Sequence, residues 1–222
     1  MPVATTSQNV NIPVLDAELP GVLEIPGGAK GLVVFVHGSG SSRMSPRNMA
    51  VASLLRDGGL GTLLFDLLTL DEEAIDRSSG HLRFDTGLLA GRLVEVTDWL
   101  SKDDRTRDCC IGYFGASTGA AAALMAAAQR PRQVGAVVSR GGRPDLAGEA
   151  LPAVEAPTLL IVGGADPLVL ELNRVALTQL EAPSQLEVVP GATHLFEEPG
   201  ALEHVARVAL DWFQRYLVPP EG

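Results

Sequence analysis

Residues 115–119 read Gly-Ala-Ser-Thr-Gly, which places Ser117 in a G-x-S-x-G pentapeptide. The apolar run Cys109 to Phe114 enters it, and the Ala-rich stretch Ala120 to Ala128, a strong helix former, leaves it. A strand, a sharp turn and a helix in that order aim a serine hydroxyl off the end of a sheet. Small residues at Gly115, Ala116 and Gly119 leave space for so tight a turn. The plainer reading makes Ser117 the N-cap of the helix, a role serine fills routinely.

A serine hydroxyl becomes a nucleophile near neutral pH only beside a base, usually a histidine steered by a carboxylate. The chain has four histidines. His204 falls inside the last helical pattern, His81 in the polar stretch Arg77 to Arg83, and His37 at a strand end before Gly38. His194 follows the last strand, in Val-Pro-Gly-Ala-Thr-His-Leu-Phe, at the carboxyl end where sites of open α/β sheets collect. Asp166 follows the strand Thr158 to Val162 in Gly-Gly-Ala-Asp-Pro, although an Asp before Pro also reads as a helix cap. Ser117, Asp166 and His194 thus come in the chain order Ser, Asp, His, each just beyond a different strand, as an α/β-hydrolase triad requires.

A tetrahedral intermediate needs donors for its oxyanion. The Thr118 amide, next after the nucleophile, is one. The second is expected from the loop His37-Gly38-Ser39-Gly40-Ser41-Ser42, with Ser39 chosen and Gly40 as the alternative. Arg140 and Arg143, just past a strand, are candidates to recognise a substrate carboxylate or phosphate, against the alternative of surface ion pairs. Gly40, Arg140 and Arg143 are therefore the expected substrate contacts.

These residues need a scaffold. From Lys30 onward, short apolar runs alternate with longer helical patterns, the signature of a parallel sheet with crossover helices. The strands are Gly31 to Val36, Gly61 to Phe65, Cys109 to Phe114, Ala136 to Ser139, Thr158 to Val162 and Leu186 to Val189. Val10 to Val14 and Gly21 to Ile25, separated at Pro20-Gly21, read as an antiparallel pair, with Pro13 keeping the first near an edge. Phe84, Leu88, Leu89, Leu93, Val96 and Leu100 repeat at helical spacing, as do Leu202, Val205, Ala206, Ala209, Phe213 and Tyr216. The acidic run Asp71-Glu72-Glu73 reads as a solvated loop.

Composition sets the outer limits. The chain has 222 residues, 46% of them hydrophobic and 20% charged, as expected of one globular domain spanning 1–222. A net charge of -10 opposes nucleic acid and anionic lipid. Cys109 and Cys110 are adjacent, so neither a disulfide framework nor a zinc spacing is present, and a reducing compartment fits. With no apolar run of membrane-spanning length and no signal-like start, a cytoplasmic location is expected.

The motifs HGSG, GASTG, GGADP and GATHLF, spread from about Val10 to Leu217, make the chain resemble the α/β-hydrolase superfamily and, within it, the dienelactone hydrolase family. That family commonly carries a Cys nucleophile, where this chain has Ser117. Val138-Ser139-Arg140-Gly141-Gly142-Arg143-Pro144-Asp145-Leu146 and Pro190 to Glu198 are similar to hydrolase modules sometimes found joined to phosphoribosyltransferase domains. The resemblance implies that His37-Gly38 shapes the oxyanion loop and that His37 is not the base. It also implies that residues 140–157, where larger relatives insert a cap, hold one short helix and no lid.

The resulting expectation is a serine esterase of short-chain or small soluble esters, with Ser117 attacking, His194 moving the proton and Asp166 holding the imidazolium. Its partner is a small ester, with no metal or organic cofactor, no nucleic acid and no membrane, leaving room for a homodimer. Lactone (dienelactone included) or thioester hydrolysis is the alternative chemistry, and a non-catalytic binding module the alternative class. A dinucleotide site at Gly38-Ser39-Gly40-Ser41-Ser42-Arg43, with Asp66 ending the next strand, is disfavoured. Arg43 occupies its third glycine position, and Pro46 delays the helix.

Overall fold

A computed structural model describes residues 4–218; residues 1–3 and 219–222, included in the expected domain, lie outside the described residues. A hairpin of β1 (Thr5–Val14) and β2 (Ala17–Pro26) leads into β3 (Gly31–Val36), α1 (Pro46–Asp57), β4 (Gly61–Phe65), α2 (Leu70–Ser79), α3 (Thr86–Leu100) and β5 (Cys110–Ala116). Then come α4 (Thr118–Gln129), β6 (Val134–Arg140), β7 (Thr158–Gly163), α5 (Pro167–Leu177), β8 (Ser184–Val189) and α6 (Ala201–Leu217). The strands form one sheet in the order β1-β2-β4-β3-β5-β6-β7-β8. β1 and β2 run antiparallel to their neighbours, and β3 through β8 are mutually parallel. This is the α/β-hydrolase fold.

The continuous apolar strands arise because both sheet faces are covered. Along β3, Leu32, Val34 and Val36 enter one core with α3 and α4, while Val33 and Phe35 enter the other with α1 and α6. The all-small face of α4, Ala120 to Ala123 with Ala126 and Ala127, is buried and lets this helix lie close to the sheet. Chain order reverses at β3, whose neighbours are β4 on one side and β5 on the other. A crevice opens at such a switch point, outside the carboxyl ends of the strands.

Several local expectations are corrected. The hairpin turns at Leu15-Asp16, not at Pro20-Gly21, which lie inside β2 opposite Asn11 and Val10. Leu19, Gly21 and Leu23 face inward through that point, so the strand continues past the proline. Phe84 is not on the α3 stripe: it sits in a 3₁₀ turn, Leu82–Phe84, and is 60% exposed. Leu89, Leu93, Val96 and Leu100 form the buried stripe, and on α6 Trp212 joins Val205, Ala209 and Phe213.

The acidic run is the first turn of α2, not a loop. Thr69 and Glu72 form a reciprocal capping box there, and Glu72 also meets the buried Arg92. Residues 140–157 hold only a 3₁₀ segment, Pro144–Ala153, interrupted at Gly148. Cys109 is half-buried, Cys110 exposed, and both are free. Among the described residues no helix is long and apolar enough to cross a membrane.

Candidate active site

The candidate site residues follow the carboxyl ends of the parallel strands. β5 delivers Ser117, whose backbone sits at φ 50°, ψ -122°, a left-handed conformation costly for a residue with a Cβ. The turn is enforced by close packing. A Cβ on Gly119 would stand 2.2 Å from the Val36 carbonyl oxygen, and one on Gly115 would stand 2.5 Å from the Ala120 Cα. Ser117 occupies the N-cap position of α4, yet its side chain makes no capping hydrogen bond. The serine hydroxyl is therefore held off the helix end and not used to cap it.

Asp166 behaves in the same way. It sits at the N-cap of α5 without capping it, and its Oδ2 accepts the Nδ1–H of His194 at 2.7 Å. Receiving that bond leaves Nε2 of His194 unprotonated as the basic nitrogen. The Asp166 side chain is 16% exposed and that of His194 40%, so the acid is the sheltered member of the pair. Residues 140–143 connect the pair to the serine. The Ser117 amide donates to the Arg140 carbonyl, the Arg143 amide donates to the Ser117 carbonyl at 3.0 Å, and a Cβ on Gly141 would lie 3.6 Å from Cε1 of His194.

Phe196, in the same loop as His194, is 2% exposed and has φ 56°. Its burial in the α1/α6 core pins the loop in a strained form, a feature the sequence pattern did not reveal.

The expected oxyanion donors differ in how free they are. Thr118 opens α4, so its amide is among those a helix cannot satisfy internally. The Ser39 amide is engaged, donating to the Thr118 hydroxyl at 3.0 Å, whereas Gly40, at φ 70°, turns the loop onward. His37 fixes the base of this loop. Its Nδ1–H donates to the Gly38 carbonyl at 3.0 Å and its Nε2 accepts from the Leu67 amide at 3.1 Å, so both ring nitrogens serve the main chain. Burial lowers its pKa and keeps it neutral. A cleft of about 570 Å³ opens beside the loop, lined by Ser39, Gly40, Arg47, Leu68, Arg77 and others.

The two expected substrate arginines differ. Arg143 is clamped by Asp145 through Nε at 2.9 Å and Nη2 at 2.8 Å, and it serves the elbow with its main chain. Arg140 is buried and carries no ion pair among the described residues. Of the dinucleotide pattern, Asp66 is taken by Arg43, bonded to its amide at 2.6 Å and to its guanidinium, and α1 starts only at Pro46, capped by Ser45. Among the described residues no three His, Cys, Asp or Glu side chains cluster as a metal site.

Arg92, on α3, is a supporting residue overlooked in the sequence. Its Nη1 donates to the Leu67 carbonyl at 2.9 Å, and the guanidinium also meets Glu72 and Asp16. Since the Leu67 amide holds His37, Arg92 braces the loop from behind. The signal was present: a charge on the stripe between Leu89 and Val96 must find a partner inside.

The profile of the family described as "Dienelactone hydrolase family" matches residues 28–217. The crystal structure of dienelactone hydrolase from Anabaena variabilis is 58% identical, with a TM-score of 0.95 over 96% of this chain and 99% of that one. A Mycobacterium tuberculosis protein carrying a provisional phosphoribosyl transferase name is 58% identical over 200 residues. That match covers 90% of this chain and 44% of the relative, so the chain spans under half of that protein's length. Est1E from Butyrivibrio proteoclasticus, 18% identical over 93% of this chain and 98% of its own, shares the fold with a TM-score of 0.77.

Proposed function

The chain belongs to the dienelactone hydrolase family of hydrolases, and from that premise we propose that it is a serine esterase of short-chain or small soluble esters. The observation that carries the reading is the 2.7 Å bond between Asp166 and His194, a pair joined through residues 140–143 to a serine held in a left-handed turn. Both Ser117 and Asp166 forgo the helix caps their positions offer. That supports a role for each beyond the helix.

In this reading Ser117 Oγ attacks the ester carbonyl while His194 Nε2 takes its proton, and Asp166 holds and stabilises the imidazolium. The Thr118 amide and the Ser39–Gly40 loop receive the oxyanion, with Gly40 the donor not already bonded to Thr118. The imidazolium protonates the departing alkoxide. Water, deprotonated by His194, then attacks the acyl-enzyme, and the same nitrogen returns the proton to Ser117 as the acid leaves. The 3₁₀ segment in place of a lid supports an open site and small substrates. The free cysteines support a reducing, cytoplasmic setting.

The test is labelling with a fluorophosphonate and location of the adduct by mass spectrometry. The expected adduct is on Ser117, with the Ser117→Ala variant unlabelled and inactive toward 4-nitrophenyl acetate. An unlabelled Ser117, or a variant as fast as the parent, would remove the assignment.

A further inference from the structure

Asn173 lies on α5, wholly buried, in a helix interior where asparagine is a poor local choice. Its Nδ2 donates to the Gly142 carbonyl at 3.0 Å and to the Val169 carbonyl, one turn back on α5, at 2.8 Å. Two carbonyl oxygens settle which end of the side-chain amide faces them, since only the NH₂ group donates. Both of its hydrogens are used, and Oδ1 is left buried without a partner. A leucine would avoid that loss, so local stability alone gives no reason for an amide here.

The bond to Gly142 reaches the serine through one peptide unit. The carbonyl that Asn173 holds and the Arg143 amide are two ends of the same planar group, and that amide donates to the Ser117 carbonyl at 3.0 Å. A hydrogen bond accepted at the carbonyl strengthens the N–H of the same peptide as a donor. The Ser117 carbonyl also accepts the Ala120 amide at 3.1 Å, but that bond stays within the start of α4. Packing confines Gly142 itself: a Cβ there would meet the Ser139 Oγ and lie 2.6 Å from the Ala120 Cβ. The strained Ser117 backbone persists only where its surroundings over-determine it, and the Gly142–Arg143 peptide is one such constraint.

Asn173 stands two helical turns after Asp166, the N-cap of α5. One helix therefore carries the acid that orients His194 and the amide that reaches Ser117. We propose that Asn173 is a positioning residue for Ser117: through the Gly142–Arg143 peptide it joins the strained turn to the helix that bears Asp166, and so fixes the serine against His194. The catalytic part rests on the hydrolase reading; the joining of α5 to the turn does not.

The experiment compares the parent with Asn173→Ser and Asn173→Leu. A helical serine bonds the carbonyl one turn back, so the first variant keeps a bond to Val169 and loses the reach to Gly142, while leucine removes both. Measured are kcat and KM for 4-nitrophenyl acetate, the rate of fluorophosphonate labelling, the urea midpoint, and amide exchange resolved by NMR. A misplaced nucleophile predicts kcat and labelling lower by about tenfold or more in both variants, with KM changed by less than about twofold. The Arg143 amide, protected in the parent, should exchange about tenfold or more faster in Asn173→Ser relative to the core amides of β3 and β4. A purely structural asparagine would instead lower the urea midpoint and leave kcat of the folded molecules unchanged.

An Arg143 amide unprotected in the parent, which needs no variant to fold, overturns the proposal. So does a loss of kcat and labelling under about threefold in Asn173→Ser, and the hydrolase reading then stands alone. If the parent neither cleaves the ester nor takes the label, the hydrolase reading fails. Arg143 exchange in Asn173→Ser then decides the link between α5 and the turn: faster exchange keeps it, and unchanged exchange removes it.

Discussion

Replacing Arg92 by Met tests whether the brace behind the His37 loop holds the fold. The side chain of Arg92 is 2% exposed and makes four hydrogen bonds: to the Leu67 carbonyl at 2.9 Å, to Glu72 at 2.6 and 2.7 Å, and to Asp16 at 2.9 Å. Breaking a buried ion pair costs about 3–5 kcal/mol. Here that figure is reduced, because the side chains of Glu72 and Asp16 are 25% and 54% exposed and water reaches them once the guanidinium is gone. What water cannot repair is the Leu67 carbonyl, worth about 1–3 kcal/mol when buried unpaired. Methionine recovers packing but no hydrogen bond, so the net loss is about 2–4 kcal/mol.

With a urea slope of about 2–3 kcal/mol per molar for a chain of this size, the midpoint falls by about 1 M. The loss also carries a pH signature. Glu72 is held down to about 2, chiefly by its hydrogen bond to Arg92. A carboxyl lowered on folding stabilises above its unfolded value, about 4.5, and that contribution disappears as pH falls toward 2. The gap between parent and variant is therefore constant from pH 8 to 5 and narrows below 4.5. Urea titrations followed by tryptophan fluorescence measure it. A midpoint change under about 0.3 M, or a gap that stays constant down to pH 3, would refute the brace.

Three further outcomes are expected. Asp166→Asn presents a donor to His194 Nδ1 and favours the wrong tautomer; kcat toward 4-nitrophenyl acetate should fall about 10³- to 10⁴-fold, and a loss under tenfold would contradict the role. His37→Gln supplies an acceptor for Leu67 and a donor for Gly38 without an imidazole. Burial lowers the His37 pKa below 6.5, so the parent loses stability as pH falls below that value, and the Gln variant should lack that share of the decline in urea titrations from pH 8 to 5. In a chain-length series of 4-nitrophenyl esters, acetyl to butyryl substrates should turn over faster than chains of ten or more carbons; the reverse order would deny the small-substrate site.

How far the local chain announces its structure differs between elements. β3 and β4 are legible to the residue, because GLVVFV and GTLLF are apolar on both faces and bounded by residues that break them. The hairpin is not, since a proline inside a strand and a proline in a turn look alike until the partner strand is in place. Phe84 fits the spacing of α3 yet lies before its first turn, because Asp85 caps the helix through the Leu88 amide. Local spacing registers an apolar side chain but not whether the chain is helical beneath it.

The candidate site divides along the same line. Ser117, Thr118, Asp166 and His194 could be named in advance because each sits at a junction of strand and turn with its own local signature. The sequence by itself determined the parallel sheet, since hydrophobic period and turn chemistry are properties of neighbouring residues, and its motifs carried the resemblance to the family. Only the tertiary structure decided which charges are left without partners. Arg143 and Arg140 stand three residues apart with the same side chain, but Asp145 neutralises one, while the other closes β6 buried and with no ion pair among the described residues. Pairing depends on distances through space, and no local pattern encodes those.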